Sequence, residues 1–199
     1  MKKSITSASI LLLSSLAMTT QAEVESGVYL GVNSNTSLSG TYKAEYENSG
    51  FTSESESDID TTGASLFIGY RSSRNNRFQL SFSSIDIDYE GGGSDEAVGT
   101  DLDWQFVYGE STVQPYWGLG FGLYTLEDTA DLFTSGDDLK GVSFQLAAGA
   151  KFDLHEHFEL DASYHIKSIA WQEIEVLSGD TLNLSHTFSY INLGAAIKF

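Results

Sequence analysis

Three short stretches carry residue types that could do chemistry. His155-Glu156-His157 offers two imidazoles for a metal ion, but zinc takes three or four protein ligands and no third stands nearby, so a solvated turn is expected. The stretch from Asp86 to Ala97 superficially resembles a calcium loop, with Asp86, Asp88, Glu90 and Gly91 at its first, third, fifth and sixth positions. Its twelfth residue is Ala97, where such a loop needs a bidentate Glu, so no calcium site is expected. Ser185-His186-Thr187 supplies a hydroxyl beside an imidazole, and Glu173 or Glu175 could complete a triad if strands brought them together. The chain has no cysteine, hence no thiolate metal site, thiol nucleophile or disulfide. No catalytic, cofactor-binding or metal residue is assigned, and no cofactor is expected.

A further set of charges, Arg71, Arg77, Lys151, Glu159, Asp161 and Lys198, has meaning only through the elements that carry it. Residues 1–22 read as a secretory signal peptide: Lys2 and Lys3, then an apolar stretch from Ile5 to Met18, then Ala22 before Glu23. That stretch is broken by Ser14 and Ser15 and falls below the roughly 20 apolar residues of a spanning helix. Residues 23–199 are then one domain of 177 residues with 8 basic and 28 acidic side chains, which makes nucleic acid an unsuitable partner.

With 12 Phe, 10 Tyr, 19 Gly and one Pro, the composition favours sheet. Eight segments alternate with period two. They begin near Gly27, Ala64, Arg77, Asp101, Pro115, Val142, Phe158 and Ile191. Each has one apolar face, for example Leu102, Trp104, Phe106 and Tyr108, or Trp117, Leu119, Phe121 and Leu123. The other face is polar or small. In the third segment the apolar parity changes from Phe78, Leu80 and Phe82 to Ile85, Ile87 and Tyr89, which suggests a β-bulge near Ser83 and Ser84. A hairpin centred on Arg74 matches Tyr70 with Phe78 and Leu66 with Phe82. One centred on His155 matches Phe152 with Phe158 and Ala150 with Leu160, and sets Lys151 opposite Glu159. Short links (SSRNN, GESTV, DLHEH) alternate with longer ones (34–62, 90–100, 126–139, 172–180), the arrangement of an outer-membrane barrel whose long connections face outside.

These features, with the terminal stretch NLGAAIKF, resemble the small eight-stranded outer-membrane barrels, the group of the OmpA membrane domain, OmpX and the opacity proteins. The resemblance implies an all-β, eight-stranded antiparallel up-and-down transmembrane β-barrel in the outer membrane of a Gram-negative bacterium. It implies contact with outer-membrane lipids and lipopolysaccharide. It also implies that Asn192, Gly194, Ile197 and Phe199 form the signal read by the barrel assembly machinery. The rival fold is a secreted β-sandwich or lipocalin-like barrel.

On the polar face, Arg71, Arg77, Lys151, Glu159, Asp161 and Lys198 are expected to form an interior ion-pair network that plugs the lumen, because buried charges must pair and eight strands enclose little more than side chains. Twenty-one of the 28 acids fall in stretches assigned to the outside, from Glu45 to Asp180. The expected function is a non-enzymatic surface barrel presenting acidic loops for envelope integrity, adhesion or binding of a ligand the sequence does not identify. The alternatives are a lipid A-modifying enzyme, although Ser185-His186-Thr187 lacks the His-x-Ser-Asn pattern of lipid A deacylases, and a narrow solute channel. Phe199→Ala is expected to lower insertion into the outer membrane, read by cell fractionation with heat-modifiable gel migration; normal insertion would remove the assembly role from Phe199.

Overall fold

The computed structural model describes residues 26–48, 51–72, 75–109, 111–127, 138–177 and 180–199. The expected signal peptide lies outside the described residues. The strands are β1 (Gly27–Asn48), β2 (Phe51–Arg71), β3 (Asn76–Tyr89), β4 (Ser94–Val107), β5 (Val113–Glu127), β6 (Leu139–His155), β7 (Phe158–Trp171), β8 (Ile174–Leu177) and β9 (Asp180–Lys198). Each long strand pairs antiparallel with the next, and β1 pairs with β9, so eight strands close into a ring while β8 flanks β9. Closure leaves no sheet edge in the ring, the condition for crossing hydrocarbon with strands. Among the described residues no helix is long and apolar enough to cross a membrane.

The outward face is apolar over one band of the ring. Val28, Leu30, Val32, Leu66, Ile68, Phe82, Leu102, Phe121, Leu123, Val142, Leu193 and Ile197 are all exposed, with Leu66 at 61% and Leu123 at 69%. Side chains this apolar and this exposed belong in lipid. At the short-turn end the band carries an aromatic cluster. Phe78 stacks on Trp104 at 5.7 Å, Phe106 stacks on Trp117 at 4.4 Å, and Trp117 Nε1 donates to Tyr108 Oη at 2.8 Å. Amphipathic rings of this kind sit at membrane interfaces.

Above this band, toward the longer connections, the polarity of both faces inverts. On β3 the outward residues run Phe78, Leu80, Phe82, then Ser84, Asp86, Asp88, while the inward residues run Arg77, Gln79, Ser81, Ser83, then Ile85 and Ile87. On β7 the inward Glu159, Ser163, His165 and Lys167 give way to Ile169 and Trp171. The expected bulge at Ser83 and Ser84 is therefore absent: β3 pairs without interruption with both β2 and β4. The parity change in the sequence marks the level where the strand leaves lipid, so that the apolar residue turns inward instead of outward. A bulge does occur on β1, between Ser37 and Ser39, where it turns Tyr42 inward after Val28, Leu30 and Val32 have pointed out.

Two other expectations are corrected. The hairpin centred on Arg74 has the expected register, but β6 and β7 pair two residues further on, Phe152 with Leu160 and Lys151 with Asp161, around a bulge between Asp153 and His155. A two-residue shift preserves facing, so alternation alone could not choose between the registers. Much of the expected loop 34–62 is strand: β1, β2 and β9 continue past the ring with β8 as a projecting four-stranded sheet in the order β2-β1-β9-β8.

Ile87 is 0% exposed, so Ile87→Ser is expected to lower stability by roughly 2–4 kcal/mol, whereas Asp88→Ser should change it by less than about 0.5 kcal/mol. Urea unfolding in lipid vesicles reads both; an equal and small effect would place Ile87 on the outer face.

Candidate functional site

The interior of the ring is built in two layers, and every long strand contributes to them. The lower layer, inside the lipid band, is polar. Arg77 of β3 crosses the lumen to Glu159 of β7, its Nη1 donating to both carboxylate oxygens at 2.8 and 2.7 Å, with the guanidinium carbon 3.9 Å from the centre of the Tyr29 ring. Arg77 and Glu159 are 1% and 2% exposed, so Arg77 would be an uncompensated buried charge without Glu159. Lys151 pairs with Asp161 at 2.9 Å and stands 3.9 Å from Glu159. Arg71 donates to Gln114 at 2.9 Å, Gln114 donates to Asp153 at 2.8 Å, and Lys198 pairs with Asp153 at 2.6 Å. Arg71, Arg77, Lys151, Glu159, Asp161 and Lys198 thus lie at one end of the lumen in two sets, Arg77–Glu159–Lys151–Asp161 and Arg71–Gln114–Asp153–Lys198.

A second ion pair stands higher in the layer. Lys167 of β7 meets Asp101 of β4 at 2.8 Å and donates to Tyr124 Oη, which donates to the same carboxylate. Asp103, on the same face of β4, accepts from Gln145, whose carbonyl accepts from Tyr190 at 3.0 Å. Asp101 and Asp103 count among the 21 acids expected outside, but they are buried in the lumen because their odd parity on β4 is opposite to that of Leu102 and Trp104. Their paired cation, Lys167, was missed as a site residue, although its parity with Glu159 and His165 on the polar face of β7 was a usable signal. Between the charged groups remains a cavity of about 40 Å³ bordered by Gln79, Asp103, Gln105 and Asn192. That is room for ordered water rather than a solute.

The upper layer is apolar. Ile59, Ile85, Ile87, Ala97, Leu126, Leu139, Ile169, Trp171, Leu184 and Phe188 are buried together, with Tyr42 and Tyr89 packed against them. Gly141 makes room for one of its largest members: a Cβ there would strike the Trp171 ring. His186 sits in this layer fully buried, and burial alone pushes its pKa down to about 4. The triad considered for it does not form. Ser185 and His186 are consecutive on a strand and point to opposite faces, and His186 bonds instead to Trp171 and Tyr89. Glu173 is exposed, and the side chain of Glu175 lies outside the described residues.

The remaining candidates have simple places. His155 and His157 are exposed at the turn between β6 and β7, and no group of three metal-ligating side chains occurs among the described residues. Asp86 and Asp88 point outward from β3, directly across from Glu96 and Ser94 of β4, while Asp60 of β2 faces Asp88. Asn192 and Gly194 lie on the inner face of β9, Ile197 on its outer face, and the Phe199 amide donates to the Val28 carbonyl beside the seam between β1 and β9.

Glu159→Gln leaves the Arg77 guanidinium buried without a countercharge and is expected to lower stability by roughly 3–5 kcal/mol, whereas Arg77→Met with Glu159→Leu should recover most of the loss. Urea midpoints of the three proteins in vesicles check this; equal losses in the single and double variants would mean the pair is not coupled.

The chain matches the family described as outer membrane protein beta-barrel domain over residues 8–199. Among solved structures, Neisserial surface protein A is 14% identical with a TM-score of 0.53, the match covering 88% of this chain and 99% of that one. OprG from Pseudomonas aeruginosa is 16% identical with a TM-score of 0.53, covering 87% and 96%. At this identity the likeness shows the fold. No curated protein matches. The family match over nearly the whole chain, together with the closed ring and its lipid-facing band, makes this protein a member of the outer membrane protein β-barrel family, resident in the bacterial outer membrane.

Proposed function

We propose that the protein is a closed, non-enzymatic surface barrel that works through the part projecting beyond the membrane. The observation that carries this reading is the double obstruction of the lumen. A solute would have to break the Arg77–Glu159 and Lys167–Asp101 pairs and then part the apolar layer around Ile87, Leu126 and Phe188. Breaking one buried pair costs several kcal/mol, so open passage is disfavoured at each level.

What the protein offers instead lies on the projecting side, which this reading places outside the cell. Just above the lipid band the outward face carries carboxylates in direct cross-strand register: Asp60 with Asp88, Asp86 with Glu96, and Glu96 with Glu127. Like charges at this spacing repel, so a divalent cation shared with lipopolysaccharide phosphates, or a cationic partner, would relieve the strain. Higher up, β2 runs from Phe51 to Asp58 beyond its last pairing with β3, at Ile59 with Tyr89. Its outward side chains there include Glu56 and Asp58, with Glu54 ion-paired to Lys43 of β1. An acidic edge of this kind suits a basic extended segment of a partner protein, added by backbone pairing. Asn192, Gly194, Ile197 and Phe199 are retained in this reading as the assembly signal.

Planar bilayers holding the purified protein are expected to show no discrete conductance steps at neutral pH, and an extended lysine-rich peptide is expected to bind at low salt and to dissociate as salt rises. Regular channel openings would overturn the closed-barrel reading. Undiminished peptide binding after Glu54→Gln with Glu56→Gln would show that the acidic edge is not the contact.

A further inference from the structure

At the foot of the projecting sheet, four side chains form one hydrogen-bonded chain that the lumen network does not use. Trp171 Nε1 donates to His186 Nδ1 at 2.6 Å. An indole N–H can only donate, so Nδ1 is the bare nitrogen and the neutral ring carries its proton on Nε2. Nε2 lies 3.1 Å from Tyr89 Oη, and Tyr89 Oη donates to Asp95 at 2.7 Å. A single assignment of protons satisfies the whole chain: Trp171 to His186, His186 to Tyr89, Tyr89 to Asp95.

The chain joins two parts of the molecule. His186 on β9, which pairs with Ile169 of β7 in one of the last rungs of the ring, and Tyr42 on β1, whose rings are 5.1 Å apart, stand where the ring passes into the projecting sheet. Trp171, Tyr89 and Asp95 belong to the rims of β7, β3 and β4. The groups facing the imidazole are Tyr42 from β1, Tyr89 from β3, Trp171 from β7, and Leu184 and Phe188 from its own strand and the surrounding apolar layer. The carboxylate that reaches it is Asp95 from β4, through Tyr89.

We propose that this chain is an acid-sensitive latch, holding the projecting sheet against the barrel mouth until His186 takes up a second proton on Nδ1. The inference rests on the surface-barrel reading and supplies a regulation for it. A proton from solvent on Nδ1 would face the Trp171 N–H, donor against donor, and the hydrogen bond between them would be lost. It would also leave an imidazolium in an apolar layer, where an uncompensated charge is strongly disfavoured. Both penalties vanish if the uppermost β7–β9 rungs, Ile169 with His186 and Ala170 with Ser185, open with the base of the projecting sheet and the imidazole reaches water.

The sign follows from proton counting. An open, solvated histidine titrates near 6.5 and the latched one near 4, so between those values the open form binds more protons and falling pH favours it. The opening equilibrium is constant above about pH 6.5, rises as pH falls, and levels off below about 4. Its total rise is roughly 300-fold, the factor for 2.5 pH units.

Hydrogen exchange of the full mature chain, refolded in lipid bilayers and corrected for the intrinsic pH dependence of exchange, tests this. Amides at 169–171 and 184–188 are expected to lose protection progressively, by up to roughly 300-fold, between pH 6.5 and 4, while amides in the lipid band hold theirs. His186→Gln can accept from Trp171 and donate to Tyr89 without titrating, so its protection should be flat across that window. Trp171→Phe removes the donor opposing Nδ1 while leaving the ring buried and should shrink the loss by about three- to tenfold, the worth of one hydrogen bond, which keeps the test decisive if the Gln variant does not refold. Flat protection in the natural sequence, or the same loss in His186→Gln, would overturn the latch. Either result leaves the conductance and peptide measurements at neutral pH untouched, so the latch and the surface-barrel reading fail separately.

Discussion

In hydrocarbon a peptide N–H or C=O without a partner costs several kcal/mol, and no water is present to supply one. A strand satisfies only half its groups with one neighbour, so a sheet in lipid is stable only when its last strand meets its first. Here that requirement is met by the register running from Tyr29 with Lys198 to Glu47 with Thr181. The other features follow from the ring. Eight strands leave a bore that side chains nearly fill. The lumen residues are therefore structural members, and a residue such as Tyr29 must fit its neighbours: Gly69 lies across the strand from it because a Cβ there would overlap the phenol ring.

The same ring passes through two solvents, and each strand records the crossing. Within lipid the outer face is apolar and the inner face holds Arg77, Glu159, Lys167 and Asp101. Beyond lipid the outer face holds Asp60, Asp86 and Glu96 and the inner face becomes an ordinary apolar core around Ile87 and Phe188. The two halves are stabilised by different physics. Below, paired charges and hydrogen bonds act in a medium of low dielectric. Above, burial of apolar surface from water does the work. The boundary between them, from Tyr124 and Lys167 to Tyr190, is where aromatic rings bearing hydroxyls serve both layers.

Much of this was legible in the sequence because alternation has a period of two and a facing error of one residue would put Leu102 or Phe121 into the lumen. The eight strands, their facing within the lipid band and the hairpin at Arg74 follow from that pattern. What alternation could not supply was anything that depends on steps of two or on a change of solvent. The β6–β7 register slid by two residues without changing any side chain's face, so Lys151 met Asp161 where Glu159 was expected. The parity change at Ile85 looked like a backbone irregularity because the sequence does not mark where lipid ends. His186 stood beside Ser185 as a possible catalytic pair, but its partners Trp171 and Tyr89 come from strands far away in sequence.

The charged lumen also answers a question of specificity that an apolar one would leave open. If both faces of β7 were apolar within the lipid band, a one-residue slip or a turned-over strand would be nearly equal in energy, since lipid and core would receive either face alike. Glu159, Asp161 and Lys167 remove that degeneracy, because turning them outward would place charges in hydrocarbon. Cross-lumen partners then fix which strands stand opposite one another: Arg77 of β3 with Glu159 of β7, and Asp101 of β4 with Lys167 of β7. The network need not add net stability over an apolar filling to serve this purpose. Its effect is to exclude wrong rings. Above the lipid, water performs the same selection in the opposite sense, which is why an apolar interior suffices there, and why the polar groups set into it, such as His186, keep hydrogen-bond partners in Trp171 and Tyr89.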